Sequence, residues 1–307
     1  MTARGTAGGA AGGAAGGTGA VVDAHHHLWR IDRGYAWLDE PDLAPIRRDF
    51  TVADLREAIA TAGVGRTVLV EAARCDAAET TEFLAVADAT GEIAGVVGWV
   101  DLVEPDLAET VAAHRAGPGG RWLVGARDQV QGQPDPDYLA RADVHRGLAT
   151  VAAAGLAFDL VVRPDQLPAA ALAARAVPEL TLVLDHLGKP RIRDGAAGLA
   201  AWREQVAPFA AAPNTVAKLS GMVTEADWRG WTVEDLRPFV AASLDLFGPD
   251  RLLFGSDWPV CLVAASYARV REALDEALGD ALTPAERAAI DGGTATRVYG
   301  LAAGLDP

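Results

Sequence analysis

The 307-residue sequence is short of cysteine, with Cys75 and Cys261 only. Two thiols cannot build a disulfide framework, and neither lies in a CxxC or a Cys/His cluster of zinc-finger spacing. A reducing, cytoplasmic location is the expectation. Positive charge is also scarce: 27 Lys and Arg stand against 42 Asp and Glu, a formal net charge of −15. Such a balance repels phosphate backbones and anionic lipid, so nucleic-acid and membrane-surface partners are not expected. No apolar run approaches the roughly 20 residues that cross a bilayer. The N-terminus lacks the apolar core of a secretory signal. No GxGxxG or GxxxxGK(S/T) follows an apolar run, which argues against a doubly wound nucleotide-binding sheet.

What is present is ample apolar material, half of all residues, enough to bury a sizeable core. Residues 1–19 are almost wholly Gly, Ala and Thr and have too little side-chain surface to offset chain entropy. They read as a disordered tail ahead of a catalytic domain spanning 20–307. From Ala20 onward, eight short runs recur: VVDA, RTVLVEA, IAGVVGWV, RWLVGAR, LAFDLVV, LTLVLDH, NTVAKLS and RLLFGSD. They are apolar without clean alternation, as parallel strands covered on both faces should be, and the segments between them are long enough for crossover helices. Thr51 reads as a helix cap with Leu55 and Ile59 on one stripe, and Thr283, Pro284 and Glu286 as a capping box. The pattern predicts a (β/α)8 TIM barrel.

In such a barrel, the residues just after each strand form the mouth of the active site. The first run ends in His25-His26-His27, and residues two apart on an extended segment point the same way. His25 and His27 can then grip one cation through imidazole nitrogen, with His26 turned away. The sixth run ends in His186 and the eighth in Asp257. A lone His is more often a satisfied core or loop residue, and a lone Asp after a strand is often a helix cap. The four together form a more specific set, suited to water activation by a divalent ion and proton transfer to a carboxylate.

The sequence resembles the lactonase branch of the amidohydrolase superfamily over Val22 to about Leu301. The likeness rests on DAHHHLWR, YAWL, GARDQVQ, DHLGKPRI, KLSGMVTEADW and FGSDWPV in that order. It implies a metal-dependent-hydrolase barrel with His25, His27, His186 and Asp257 in the active site and Asp257 as general base. It also implies one divalent ion, zinc or manganese, although the branch contains members that work without a metal. Two positions depart from its pattern. Glu71 stands where Gln is frequent, and Asp128 where His is frequent. Glu71 is either a fifth metal ligand or the ion-pair partner of Arg127 or Arg74. Arg127 is expected to orient an anionic or hydroxyl-rich substrate, and Trp258 to offer a stacking wall. The implied activity is opening of a small sugar-acid or carboxylated lactone, with a metal-dependent decarboxylase as the alternative. A barrel that had lost its chemistry would have lost the HxH pair or Asp257, and both are present. A homo-oligomer is left open.

Overall fold

A computed structural model describes residues 21–302, so the tail expected over 1–19 lies outside the described residues. All eight apolar runs are strands: β1 (Val21–His26), β2 (Val64–Val70), β3 (Ile93–Trp99), β4 (Leu123–Asp128), β5 (Ala157–Leu160), β6 (Leu182–Leu184), β7 (Thr215–Leu219) and β8 (Leu252–Phe254). They pair in parallel and in sequence order. The ring closes where His26 bridges to Trp258: the His27 amide donates to the Trp258 carbonyl at 2.7 Å, and the Asp257 amide to the His25 carbonyl at 2.9 Å. Helices fill most crossovers. Val52–Ala60 starts at a capping box between Thr51 and Asp54 and buries Leu55 and Ile59, and Pro284–Ala288 starts at a box between Thr283 and Glu286.

Two apolar cores follow from this architecture. The larger lies between barrel and helices. The smaller fills the barrel from below with Val22, Ala24, Val68, Val97, Ala157, Val183, Val216 and Leu253, plugged by Ala295, Tyr299 and Leu301 of the C-terminal segment. Side chains on a strand alternate, so the interior residues after Ala157, Val183, Val216 and Leu253 are Asp159, Asp185, Lys218 and Gly255. The polar floor of the site therefore rests directly on the apolar plug. On β1 the same alternation from Val22 and Ala24 would send His26 inward. A register irregularity between Asp23 and His26 changes the face, and His25 and His27 enter instead.

Candidate active site

Strand ends from around the ring converge on a cavity of about 580 Å³, lined among others by His27, Arg127, His186, Lys189 and Asp257, with Trp37 and Trp228 as its indoles. At its floor, His25 Nε2 and His27 Nε2 are 3.1 Å apart. Asp257 Oδ1 lies 3.9 Å from His25 Nε2, 3.7 Å from His27 Nε2 and 3.8 Å from His186 Nε2.

The other ring nitrogens explain why these edges face one another. His27 Nδ1 lies 2.9 Å from the Val70 carbonyl, which can only accept, so Nδ1 carries the proton and Nε2 presents a lone pair. His25 Nδ1 lies 3.1 Å from Asp185 Oδ1. Burial works to raise the Asp185 pKa, but Lys218, His25 and Arg127 outweigh it and hold it well below the usual carboxylate range. In the tautomer in which His25 Nδ1–H donates to the ionised Asp185, Nε2 is again left bare. His186 Nδ1 meets Ser220 Oγ at 2.9 Å. Burial keeps His25 and His186 neutral, lowering His186 to about 4 against the opposing pull of Asp257. Burial also opposes ionisation of Asp257, but His186 and His27 reverse this and take its pKa below the ordinary value.

These groups fit a divalent ion. Bonds of about 2.0–2.2 Å to nitrogen and oxygen give ligand-to-ligand edges of roughly 3.3 Å or a little more, close to the separations seen here. Lone pairs and a carboxylate oxygen crowded together without a proton between them are otherwise repulsive. The donor atoms of His25, His186 and Asp257 all lie within 4.8 Å of one another, with His27 bordering His25 and Asp257. A second group of that size, His25, Asp159 and Asp185, already holds a cation of its own. The Lys218 ammonium pairs with Asp159, lies 2.9 Å from Asp185 Oδ1 and 3.1 Å from His25 Nδ1. Tyr299 donates its hydroxyl proton to Asp159, tying the plug to this network.

The remaining expected residues sit as follows. Glu71 is in an ion pair rather than among the convergent donors: Oε1 accepts from Arg127 Nε and Gln129 Nε2, and Oε2 from the Ala73 amide at 2.7 Å. Arg127 lines the cavity, held also by Asp185 Oδ2 at 2.9 Å and by the Glu71 carbonyl. Trp258 does not wall the cavity. Its ring packs edge-on against Phe50, 5.3 Å between centroids, and borders a separate hollow beside Arg48 and Tyr267. Asp128, buried, points away from the cavity and accepts from the Tyr138 hydroxyl at 3.0 Å. Cys75 borders the cavity and Cys261 is buried; burial pushes both thiols up, Cys75 to about 12, so neither is poised as a thiolate. Asp159, Asp185, Lys218, Trp37 and Trp228 are site residues that motif reading did not single out.

A sequence model described as Amidohydrolase matches residues 22–301. The chain belongs to the amidohydrolase family. It is 41% identical over 290 residues to a protein of Burkholderia multivorans named L-fucono-1,5-lactonase, covering 91% of this chain and 96% of that one. A protein of the same name from Burkholderia ambifaria is 36% identical over 91% of this chain and 94% of its own. A crystal structure of an amidohydrolase from Burkholderia multivorans with bound zinc superposes with a TM-score of 0.85 at 40% identity, covering 92% of this chain and all of that one.

Proposed function

We propose that this amidohydrolase is a lactonase, opening the ring of a small sugar-acid lactone with water, and that His25, His27, His186 and Asp257 hold a divalent cation at its centre. The observation that carries this reading is the convergence of three imidazole Nε2 atoms on Asp257 Oδ1 at the floor of a cavity able to take one small molecule. The names of the two Burkholderia relatives support the lactone, and the zinc in the related crystal structure supports the cation.

When bound, the cation supplies polarisation of a carbonyl oxygen and a lowered pKa for water. The chain's own groups do the rest. Asp257, ionised and buried, takes a proton as a water oxygen adds to the lactone carbonyl carbon. The C–O bond of the ring then breaks, and the proton passes from Asp257 to the departing ring oxygen, which leaves as a hydroxyl. The acid so formed ionises at neutral pH. Arg127 has five N–H donors, of which Nε and one on each terminal nitrogen are engaged, so the rest serve substrate oxygens. In this reading Glu71 anchors Arg127 and is not a ligand, and the faces of Trp37 and Trp228, rather than Trp258, receive the sugar ring.

The test is a panel of aldono-1,5- and 1,4-lactones, with and without dipicolinate, alongside elemental analysis. Hydrolysis that is lost with chelator and restored by zinc or manganese is expected, with close to one ion per chain. Metal-free protein with undiminished activity would sink the cation. Carbon dioxide release from aromatic acids, with every lactone untouched, would put the decarboxylase in its place.

A further inference from the structure

After β6 the backbone takes a course that L-residues rarely follow. His186, Leu187, Gly188 and Lys189 have φ of 53°, 55°, 72° and 57°, one left-handed turn closed by the Lys189 amide donating to the His186 carbonyl at 2.8 Å. Only glycine enters this region without steric cost. Two of the three other side chains have evident reasons to be there. His186 is a site residue, and Leu187 is buried in the larger core with its carbonyl bound by Trp202 Nε1 at 2.7 Å. Lys189 has no such reason in the fold. It is partly exposed, and its ammonium meets no hydrogen-bond or ion-pair partner among the described residues.

What the turn accomplishes is placement. With about three residues per turn, positions i and i+3 lie side by side, so Lys189 stands next to His186 on the cavity wall. It lines both the active-site cavity and an adjoining groove of about 860 Å³, sharing the rim between them with Gln131 and Glu225. Its charge is felt by both Asp257 and His186, lowering the pKa of each. Glu225, the carboxylate on the same rim, makes no ion pair with Lys189, and burial raises its pKa against the pull of Lys189 and Arg193. A strained, uncommitted cation beside the reacting centre is a receptor for negative charge.

We propose that Lys189 is the anion receptor of this active site, its ammonium donating a hydrogen bond to the carboxylate that the lactone carbonyl becomes. The proposal rests on the lactonase reading for the identity of that carboxylate. Nothing is transferred to or from the lysine beyond the shared proton.

The test compares zinc-loaded wild type, Lys189→Gly and Lys189→Arg by calorimetry with two probes, the aldonate L-fuconate and the neutral alditol L-fucitol. Glycine relaxes the φ of 57°, so the Tm of Lys189→Gly should equal or exceed that of wild type. Its affinity for L-fuconate should fall roughly tenfold to a hundredfold, as for loss of a charge-assisted hydrogen bond, with affinity for L-fucitol and zinc content unchanged. Lys189→Arg, which keeps the charge, should keep most of the preference for the aldonate. Equal weakening of both probes, an unchanged preference in Lys189→Gly, or loss of zinc from it would overturn the proposal and reduce the turn to scaffold. Wild type that opens no aldonolactone but binds L-fuconate in a Lys189-dependent manner would instead refute the lactonase reading and leave the receptor standing.

Discussion

Asp257 has to be an ion inside a pocket that exposes almost none of it. Burial favours its neutral form, and the surrounding imidazoles with the Lys189 charge turn that preference round. As the base we propose, it depends on a carboxylate oxygen able to bind a proton, which an amide of the same shape lacks. Asp257→Asn should therefore cut lactone turnover by at least about a hundredfold while far-UV circular dichroism and Tm stay close to wild type. Full turnover in the purified variant would exclude Asp257 as the base. Asp257 was legible in the sequence, as were His25, His27 and His186, because a polar residue ending an apolar run stands out. Lys218 was not. In the run NTVAKLS a single lysine looks like a solvated interruption, and only the barrel's curvature shows that it faces Asp159 and Asp185. Trp258 was misread for a related reason, since adjacency to Asp257 says nothing about which way the indole turns. Glu71 remained ambiguous because ligand and ion-pair partner are the same residue type at the same strand end.

The elements that set the site are the irregular ones. All eight strands could be read from apolar runs, since burial on both faces leaves a composition that survives without any alignment. The irregularity of β1 and the left-handed turn after β6 could not, because His186, Leu187 and Lys189 carry no signal for positive φ. One consequence is a glycine at the end of the neighbouring strand. Gly221 follows β7 with φ of 62°, and a Cβ there would lie 2.6 Å from His186 Nδ1 and 2.7 Å from its Cγ. The ring fills the space that a side chain would need. Gly221→Ala should displace His186 from Ser220 and weaken zinc binding by about 10–100-fold, the usual cost of losing support behind a ligand. Gly248→Ala is the control, with φ of 71° and nothing within 4 Å of the added carbon. Both variants bear the backbone cost of alanine at positive φ, so both lose some thermal stability. Only Gly221→Ala should lose zinc in competition with a fluorescent chelator, and equal affinity in the two would remove His186 from the binding set.

At the scale of the whole molecule, an excess of acids over bases leaves the interior with two kinds of carboxylate. Asp185 and Asp257 face cations or imidazoles, which hold them ionised. Asp23, Glu79 and Asp128 are pushed the other way by burial, Asp128 to about 6. The second kind makes stability depend on pH with a definite sign. For Asp128, the unfolded chain releases its proton near 3.8 while the folded protein keeps it until about 6. Between those values the folded state binds more protons, so stability falls as pH rises, and above about 6 the penalty is constant. An amide in its place has no such penalty and can still accept from the Tyr138 hydroxyl. Asp128→Asn should accordingly gain on wild type as pH climbs from 4 to 7, by on the order of 2 kcal/mol, whatever the offset between the two proteins at pH 4. Urea unfolding at four pH values across that range measures the difference, and curves that run parallel would show that Asp128 is already ionised in the folded protein throughout.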